Sequence, residues 1–464
     1  MKKRMLGLGL ALCIALPAAA VPPETLNYGR FGKIWLYQLS PRPPQVVLFI
    51  SGDGGWNLGV VDMARALAGR NALVVGIDIT HYLRELNASR EGCVYPAADF
   101  EMLSKYVQQT LGYTSYVTPI LAGYSSGATL VYATLVQAPF NTFAGGISLG
   151  FCPDLALHTP MCHGSGLRWS VLPRSQGVSF LPVDSLQVPW IVLQGLADQV
   201  CNGDSTAAFV RKVQQAEIVL LPGVGHGFAV TSRWQPAFLQ AFARLAAPAA
   251  TPAAVEISSL GDLPVVEAPA SAPGGEVMAL HITGDGGYGI TDKGLSRCLA
   301  AEGVPVAVLN ALKYFWTRRT PEETTRDVQR MLEYYTRHWH KEKIVLIGYS
   351  FGADVLPFVI SRLPEAQRAR IVLAVFLGLS PNAEFEFHLS TWMGGGAGRE
   401  SYPVRPELDK LAGMKLLCFC GSGDTECLCR SLDPARIRMV ELKGGHRIAG
   451  NFAVVARTIL NEIK

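Results

Sequence analysis

Short runs of β-branched and aliphatic residues alternate along the chain with stretches whose apolar positions recur at helical spacing. The runs VVLFI, VVGI, PILAG and WIVLQ in the first half, and VMALHI, VAVL, KIVLI and KLLCF in the second, are apolar at nearly every position. Continuous apolar strands separated by helices predict parallel sheets covered on both faces, because a strand wetted on one side would alternate instead. Helix-like stretches fall at Asp62–Gly69, Ala97–Thr110 and Pro321–His338. The last opens on Thr320-Pro321-Glu322-Glu323, with proline at the first helical position and acids in the first turn.

This alternation occurs twice, in one order. VVLFI leads into Ser51-Gly52-Asp53-Gly54-Gly55-Trp56, and VMALHI into Thr283-Gly284-Asp285-Gly286-Gly287-Tyr288. From the aspartate of each Gly-Asp-Gly-Gly turn to a later tyrosine, Tyr82 or Tyr314, is 29 residues in both halves. PILAGYSSG then parallels IVLIGYSFG, WIVLQGLADQVC parallels LLCFCGSGDTEC, and a Gly-His pair closes each series at His226 and His446. Two long matching units are an internal duplication rather than a solenoid array. Between them a Pro- and Ala-rich stretch sustains neither a helical nor a strand period and reads as a linker. The expected layout is a leader over 1–20, an N-terminal unit over 21–247, a linker over 248–275 and a C-terminal unit over 276–464.

Composition sharpens this outline. A chain of 464 residues, 49% hydrophobic and 17% charged, is long enough for two cores and too apolar to be mainly disordered. A net charge of +4 with no basic stripe argues against nucleic-acid binding. Lys2, Lys3 and Arg4, the apolar run Met5–Leu16 and the small residues Ala18-Ala19-Ala20 form a secretory signal, with cleavage expected before Val21. No later segment is long enough to span a bilayer, so the mature protein is expected to be soluble or peripheral, in the periplasm. Nine of the ten cysteines remain after cleavage, which leaves at least one unpaired within the chain. Cys418, Cys420, Cys427 and Cys429 invite a zinc reading, yet one-residue spacings suit tetrahedral zinc poorly, and export favours disulfides or buried cysteine over metal.

Gly348-Tyr349-Ser350-Phe351-Gly352 carries the chemistry. The pentapeptide follows the strand KIVLI and precedes a helical pattern, the setting of a nucleophile elbow. A serine needs a base held by a carboxylate, and in this architecture they follow as serine, acid, histidine. Asp424 and His446 fill those places after Ser350, each in a turn after a strand. Ser125, Asp198 and His226 do so in the first unit. Serine to aspartate is 73 residues in one unit and 74 in the other. The fold class expected is therefore α/β, with two tandem α/β-hydrolase-like domains and no cofactor. Backbone N–H groups near Asp285 and Gly286, together with that of Phe351, are the expected oxyanion donors.

The two units are not equivalent. Only the second has an acid, Asp354, four residues after the nucleophile, where the first has Thr129. Only the second carries YFWTRRTPEE and LGLSPNAEFEFHLSTW, which set Glu384, Glu386 and His388 among aromatic residues including Trp392. Such loops can cap a hydrolase site, although FEFHL also fits a half-buried strand. With GYSFGADVLPF, these segments resemble the VirJ/AcvB family of bacterial virulence proteins, and the two-unit layout is similar to AcvB-type members. The resemblance implies a periplasmic hydrolase of aminoacylated phosphatidylglycerol, chiefly the lysyl form, resting on the outer face of the inner membrane. It also implies Ser350 as nucleophile, His446 as base and Asp424 as its orienter. Asp285, Asp354, Glu384, Glu386, His388 and Trp392 are candidates for holding a cationic head group. The rivals are a general exported carboxylesterase or lipase, and a non-catalytic partner of secretion-system proteins.

Overall fold

The computed structural model describes residues 23–139, 141–164, 166–247, 260–387, 401–446 and 450–463. The expected leader over 1–20, the first part of the linker, His388 and Trp392 lie outside the described residues.

Among the described residues the strands form two large sheets. The first runs, in spatial order, Glu24–Tyr28, Gly32–Tyr37, Ala72–Ile77, Gln45–Ile50, Ile120–Tyr124, Gly145–Leu149, Ser185–Gly195 and Gln214–Leu221. Its first two strands are antiparallel additions at one edge, and the other six are mutually parallel. The second sheet runs Val265–Ala268, Val306–Leu309, Val277–Ile282, Lys343–Tyr349, Ile371–Leu377, Leu416–Gly421 and Arg438–Leu442. Here one antiparallel edge strand adjoins six parallel ones. The parallel parts have the same strand order, so the duplication read in the sequence is a duplication of topology.

The continuous apolar strands serve two cores at once. Val46, Leu48 and Ile50 enter one hydrophobic cluster, while Val47 and Phe49, pointing the other way, enter a second on the opposite face. Ile344 and Leu346 against Val345 and Ile347 repeat this in the second sheet. Helices cover both faces. Pro321–His338 begins with the expected capping box, Thr320 Oγ1 accepting from Glu323 N and the Glu323 carboxylate accepting from Thr320 N. The other two helices form over Gly59–Ala68 and Pro96–Thr110.

The linker reading needs correction. Val265–Ala268 pairs antiparallel with Val306–Leu309, Leu260 is buried in the second core, and Asp262 forms an ion pair with Arg330. The second unit therefore begins by Leu260, inside the stretch expected to be linker, and not at Glu276. A four-residue edge strand flanked by prolines is too short to show a period and tolerates prolines that an interior strand would reject.

The two units touch through a small aromatic cluster. Tyr116 of the first packs with Leu312, Trp316 and Phe387 of the second. Trp316 Nε1 donates to Tyr113 O at 2.7 Å, and Gln109 Nε2 donates to Phe387 O at 3.1 Å. The ammonium of Lys105, fully buried and paired with Glu101, lies 4.9 Å from the Phe387 ring centre.

Candidate active sites

In each unit the central parallel strand ends at a serine and a helix begins at the next residue. Ile120–Tyr124 leads to Ser125 and the helix Ser126–Gln137, and Lys343–Tyr349 leads to Ser350 and the helix Phe351–Arg362. Ser125 has φ 56° and ψ −123°, and Ser350 has φ 52° and ψ −119°. This backbone is strained for a side-chain-bearing residue, at about 1–3 kcal/mol. It lifts the hydroxyl clear of both strand and helix. The second glycine of each motif lets the helix close on the neighbouring strand: a Cβ on Gly352 would lie 2.1 Å from Ile282 O, and one on Gly127 would lie 2.3 Å from Ser51 O.

The histidine and aspartate arrive from the next turns along the same sheet edge. Ser350 Oγ is 2.8 Å from His446 Nε2, and His446 Nδ1 is 2.9 Å from Asp424 Oδ2. The matching distances from Ser125 to His226 and from His226 to Asp198 are both 2.9 Å. With Nδ1–H donated to the carboxylate, Nε2 is left to accept the serine proton, as a general base must. Both aspartates are buried.

Disulfides fasten the acid turns. Cys420–Cys427 spans Asp424, and Cys418–Cys429 spans it again two residues further out on each side. These four sulfurs are bonded in pairs, so they offer no thiolates to zinc. In the first unit Cys201, three residues after Asp198, is bonded to Cys152 on the loop after Gly145–Leu149. Asp198 Oδ1 accepts from Val200 N and Cys201 N, and Oδ2 also accepts from Gln194 Nε2 at 3.1 Å. Cys93–Cys162 closes the set, and Cys298 is the free cysteine among the described residues.

Two site residues were missed by motif reading. Gly150 (φ 63°) and Gly378 (φ 67°) end the strands next to the nucleophile strand, and a Cβ on Gly378 would stand 3.0 Å from the His446 ring. They make room for the imidazole. Their signal was visible as the Leu-Gly pair ending SLG and FLG at matching places in both copies.

The remaining candidates differ in position. The Gly-Asp-Gly-Gly turns lie against the nucleophiles, since a Cβ on Gly284 would come within 3.5 Å of Ser350 Cβ. Asp285 and Gly286 follow directly, and Phe351 opens the helix. Asp354 is tucked below the nucleophile, its Oδ1 accepting from Ser380 N at 2.7 Å. Burial, with smaller repulsion from Asp285 and Asp424, holds its carboxyl well above the ordinary aspartate range. Thr129 makes the equivalent brace in the first unit, donating to Cys152 O. Glu384 and Glu386 are half-buried and alternate with buried Phe385 and Phe387. The Phe315 ring lies tilted 4.9 Å from that of Phe351 and edge-on 6.0 Å from that of Phe385, so both segments peculiar to the second unit converge beside its nucleophile. In the first unit, Ser126 in the place of Phe351 instead donates to Asp53 at 2.6 Å.

A family model described as bacterial virulence protein (VirJ) matches residues 44–143 and 276–464. No curated protein matches the chain. Among solved structures it is similar to an α/β serine hydrolase without lid from Xanthomonas campestris, at 19% identity over 49% of this chain and 95% of that one, with a TM-score of 0.33. It is also similar to a thermophilic esterase from Thermogutta terrifontis, at 18% identity over 49% and 96%, with a TM-score of 0.35. A third is the esterase domain of a Rhodothermus marinus protein, at 16% identity over 48% and 96%, with a TM-score of 0.33.

Proposed function

Because this chain belongs to the VirJ family of bacterial virulence proteins, we propose that it is an exported serine ester hydrolase whose C-terminal site cleaves the aminoacyl ester of lysyl- or alanyl-phosphatidylglycerol. The observation that carries the reading is the relay Ser350–His446–Asp424, set beside aromatic and acidic segments that the other copy lacks.

The mechanism follows from the atoms. Ser350 Oγ attacks the aminoacyl carbonyl carbon and its proton passes to His446 Nε2, while Asp424 holds the imidazolium that forms. Negative charge gathers on the carbonyl oxygen, where the N–H of Phe351 and N–H groups of the Asp285–Gly286 turn would receive it. Collapse breaks the ester C–O bond, and the glycerol oxygen leaves as phosphatidylglycerol with the proton from His446. Water then attacks the aminoacyl-enzyme, gives its proton to His446 and releases the amino acid, returning the proton to Ser350.

A lysyl group brings two positive charges. Burial, with smaller repulsion from Asp285 and Asp424, holds the Asp354 carboxyl up, and a bound cation would offset that repulsion and favour its ionised form. Cleavage in the periplasm, with the protein resting on the outer face of the inner membrane, accords with paired cysteines in both units. No helix of the described residues is long and apolar enough to cross a membrane.

The test is hydrolysis of lysyl-phosphatidylglycerol in vesicles by the wild type and by Ser350→Ala. A fall of at least about 10³-fold is expected in the variant. Equal rates, or no wild-type release of lysine, would sink the reading.

A further inference from the structure

The N-terminal unit has kept everything a serine esterase needs, and its surroundings differ chemically from those of Ser350. We propose that Ser125, His226 and Asp198 form a second, independent hydrolytic centre, and that it takes uncharged esters with apolar acyl chains.

Keeping this geometry is costly to the fold. A copy retained only as packing or as a docking module has no use for the strained backbone at Ser125, which matches that of Ser350 within a few degrees. Nor does packing call for Asp198 to accept three hydrogen bonds besides the one from His226. The imidazole is further fixed from above: its ring lies 5.6 Å from that of Tyr124, whose hydroxyl donates to His226 O. Ser125 is partly exposed, as Ser350 is, so the hydroxyl is within reach of a ligand.

The rim of this site is apolar. Leu58, Leu196, Val200 and Val230 are exposed apolar side chains in the loops that follow the strands Gln45–Ile50, Ser185–Gly195 and Gln214–Leu221. Those strands are parallel to the nucleophile strand, so their following loops lie at the sheet edge that carries Ser125, Asp198 and His226. Leu58 is 84% and Val200 69% exposed, which costs water-ordering surface with no folding return. At the same steps from the triad residues, the second unit has Ser422 for Leu196, Glu426 for Val200 and Gly450 for Val230. Inside, Thr129 stands where the second unit has Asp354, and Asp53 is engaged by Ser126. The N-terminal site thus has fewer acids open to a cationic acyl group and, around Asp198 and His226, more apolar contact for a hydrocarbon one.

The reaction balances with water alone. Ser125 Oγ bonds to the ester carbonyl carbon as its proton moves to His226 Nε2. The ester C–O bond breaks and the leaving oxygen takes that proton. Water then adds to the acyl-enzyme, yields its proton to His226, and the carboxylic acid departs as Ser125 regains its hydrogen.

The full-length protein is tested with Ser350→Ala as background, so the outcome stands whatever Ser350 acts on. The background protein is treated with a fluorophosphonate probe and its peptides are mapped, and its turnover of p-nitrophenyl octanoate is compared with that of a lysine p-nitrophenyl ester. One label, on Ser125, and octanoate turnover at least about tenfold faster than the lysine ester are expected. Adding Ser125→Ala should abolish the label and cut octanoate turnover at least about 100-fold. Adding His226→Ala to a chain that still has Ser125 should do the same, which separates loss of the base from loss of the nucleophile. An unlabelled Ser125 in folded background protein overturns the second centre, and preference for the lysine ester overturns its apolar specificity.

Discussion

Asp354 is one helical turn beyond Ser350 and is tied to Ser380 N, yet burial, Asp285 and Asp424 all oppose its ionisation. The sign of its effect on stability follows. A carboxyl whose folded pKa lies above its unfolded value of about 3.9 binds more protons when folded across the interval between the two. Stability therefore falls as pH rises through that interval, and the cost remains above it. Asp354→Asn keeps an oxygen to accept from Ser380 N but removes the charge. Its melting temperature should gain on the wild type as pH rises from about 4 and then hold that gain at higher pH. Parallel melting curves from acid to neutral pH would contradict this account. The same variant should lower turnover of lysyl-phosphatidylglycerol more than that of the alanyl form if its charge assists the second cation.

At the scale of elements, the strand–serine–helix unit rests on backbone closeness. Gly352→Ala would push a methyl group into Ile282 O, and rigid strand backbone cannot yield as a side chain would. Destabilisation of about 1–3 kcal/mol or more is expected, with a lower thermal midpoint and loss of Ser350 reactivity towards phosphonate probes. The contact between units makes a second prediction. Trp316→Ala removes a 4% exposed indole and its hydrogen bond to Tyr113 O. A loss of about 3–5 kcal/mol should appear as a lowered melting temperature. KM for aminoacyl lipid should also rise, because Phe315 beside Trp316 packs on Phe351 next to the nucleophile. An unchanged KM would show that this wall of the site stands without the contact.

These elements also show what could be read from the chain. The capped helix Pro321–His338 was legible because its start depends on four adjacent residues. Both triads were legible because each member sits in a turn after an apolar strand, and the duplication gave the order twice. The edge strand Val265–Ala268 was hidden by brevity and by its prolines. The pairing of the cysteines and the meeting of Tyr116 with Trp316 and Phe387 depend on tertiary approach, which no local pattern encodes. Glu384 and Glu386 suggest a charged rim, and the residues that alternate with them are the ones that pack, Phe385 on Phe315 and Phe387 on Trp316.

Across the whole molecule, two sheets of one topology carry two relays of nearly one geometry, and each relay has its acid turn secured by sulfur. The Cys420–Cys427 and Cys418–Cys429 bonds close short loops, each contributing stability of about 2–3 kcal/mol in the chain-entropy account, and they do so around Asp424. Protein made with Cys420→Ser and Cys427→Ser should still bind lipid vesicles but lose kcat, as measured by lysine release, because a looser Asp424 orients His446 less well. Retained kcat would mean that the turn holds itself. If kcat falls in that variant, the bonds would set the timing of activity. A newly made chain with free thiols would then carry both serines without the sulfur bonds that secure their acid turns, and would gain esterase power as oxidation proceeds. Oxidation would then act as a maturation step that needs no pro-segment, sparing the ester-bearing molecules of the compartment where the chain is made.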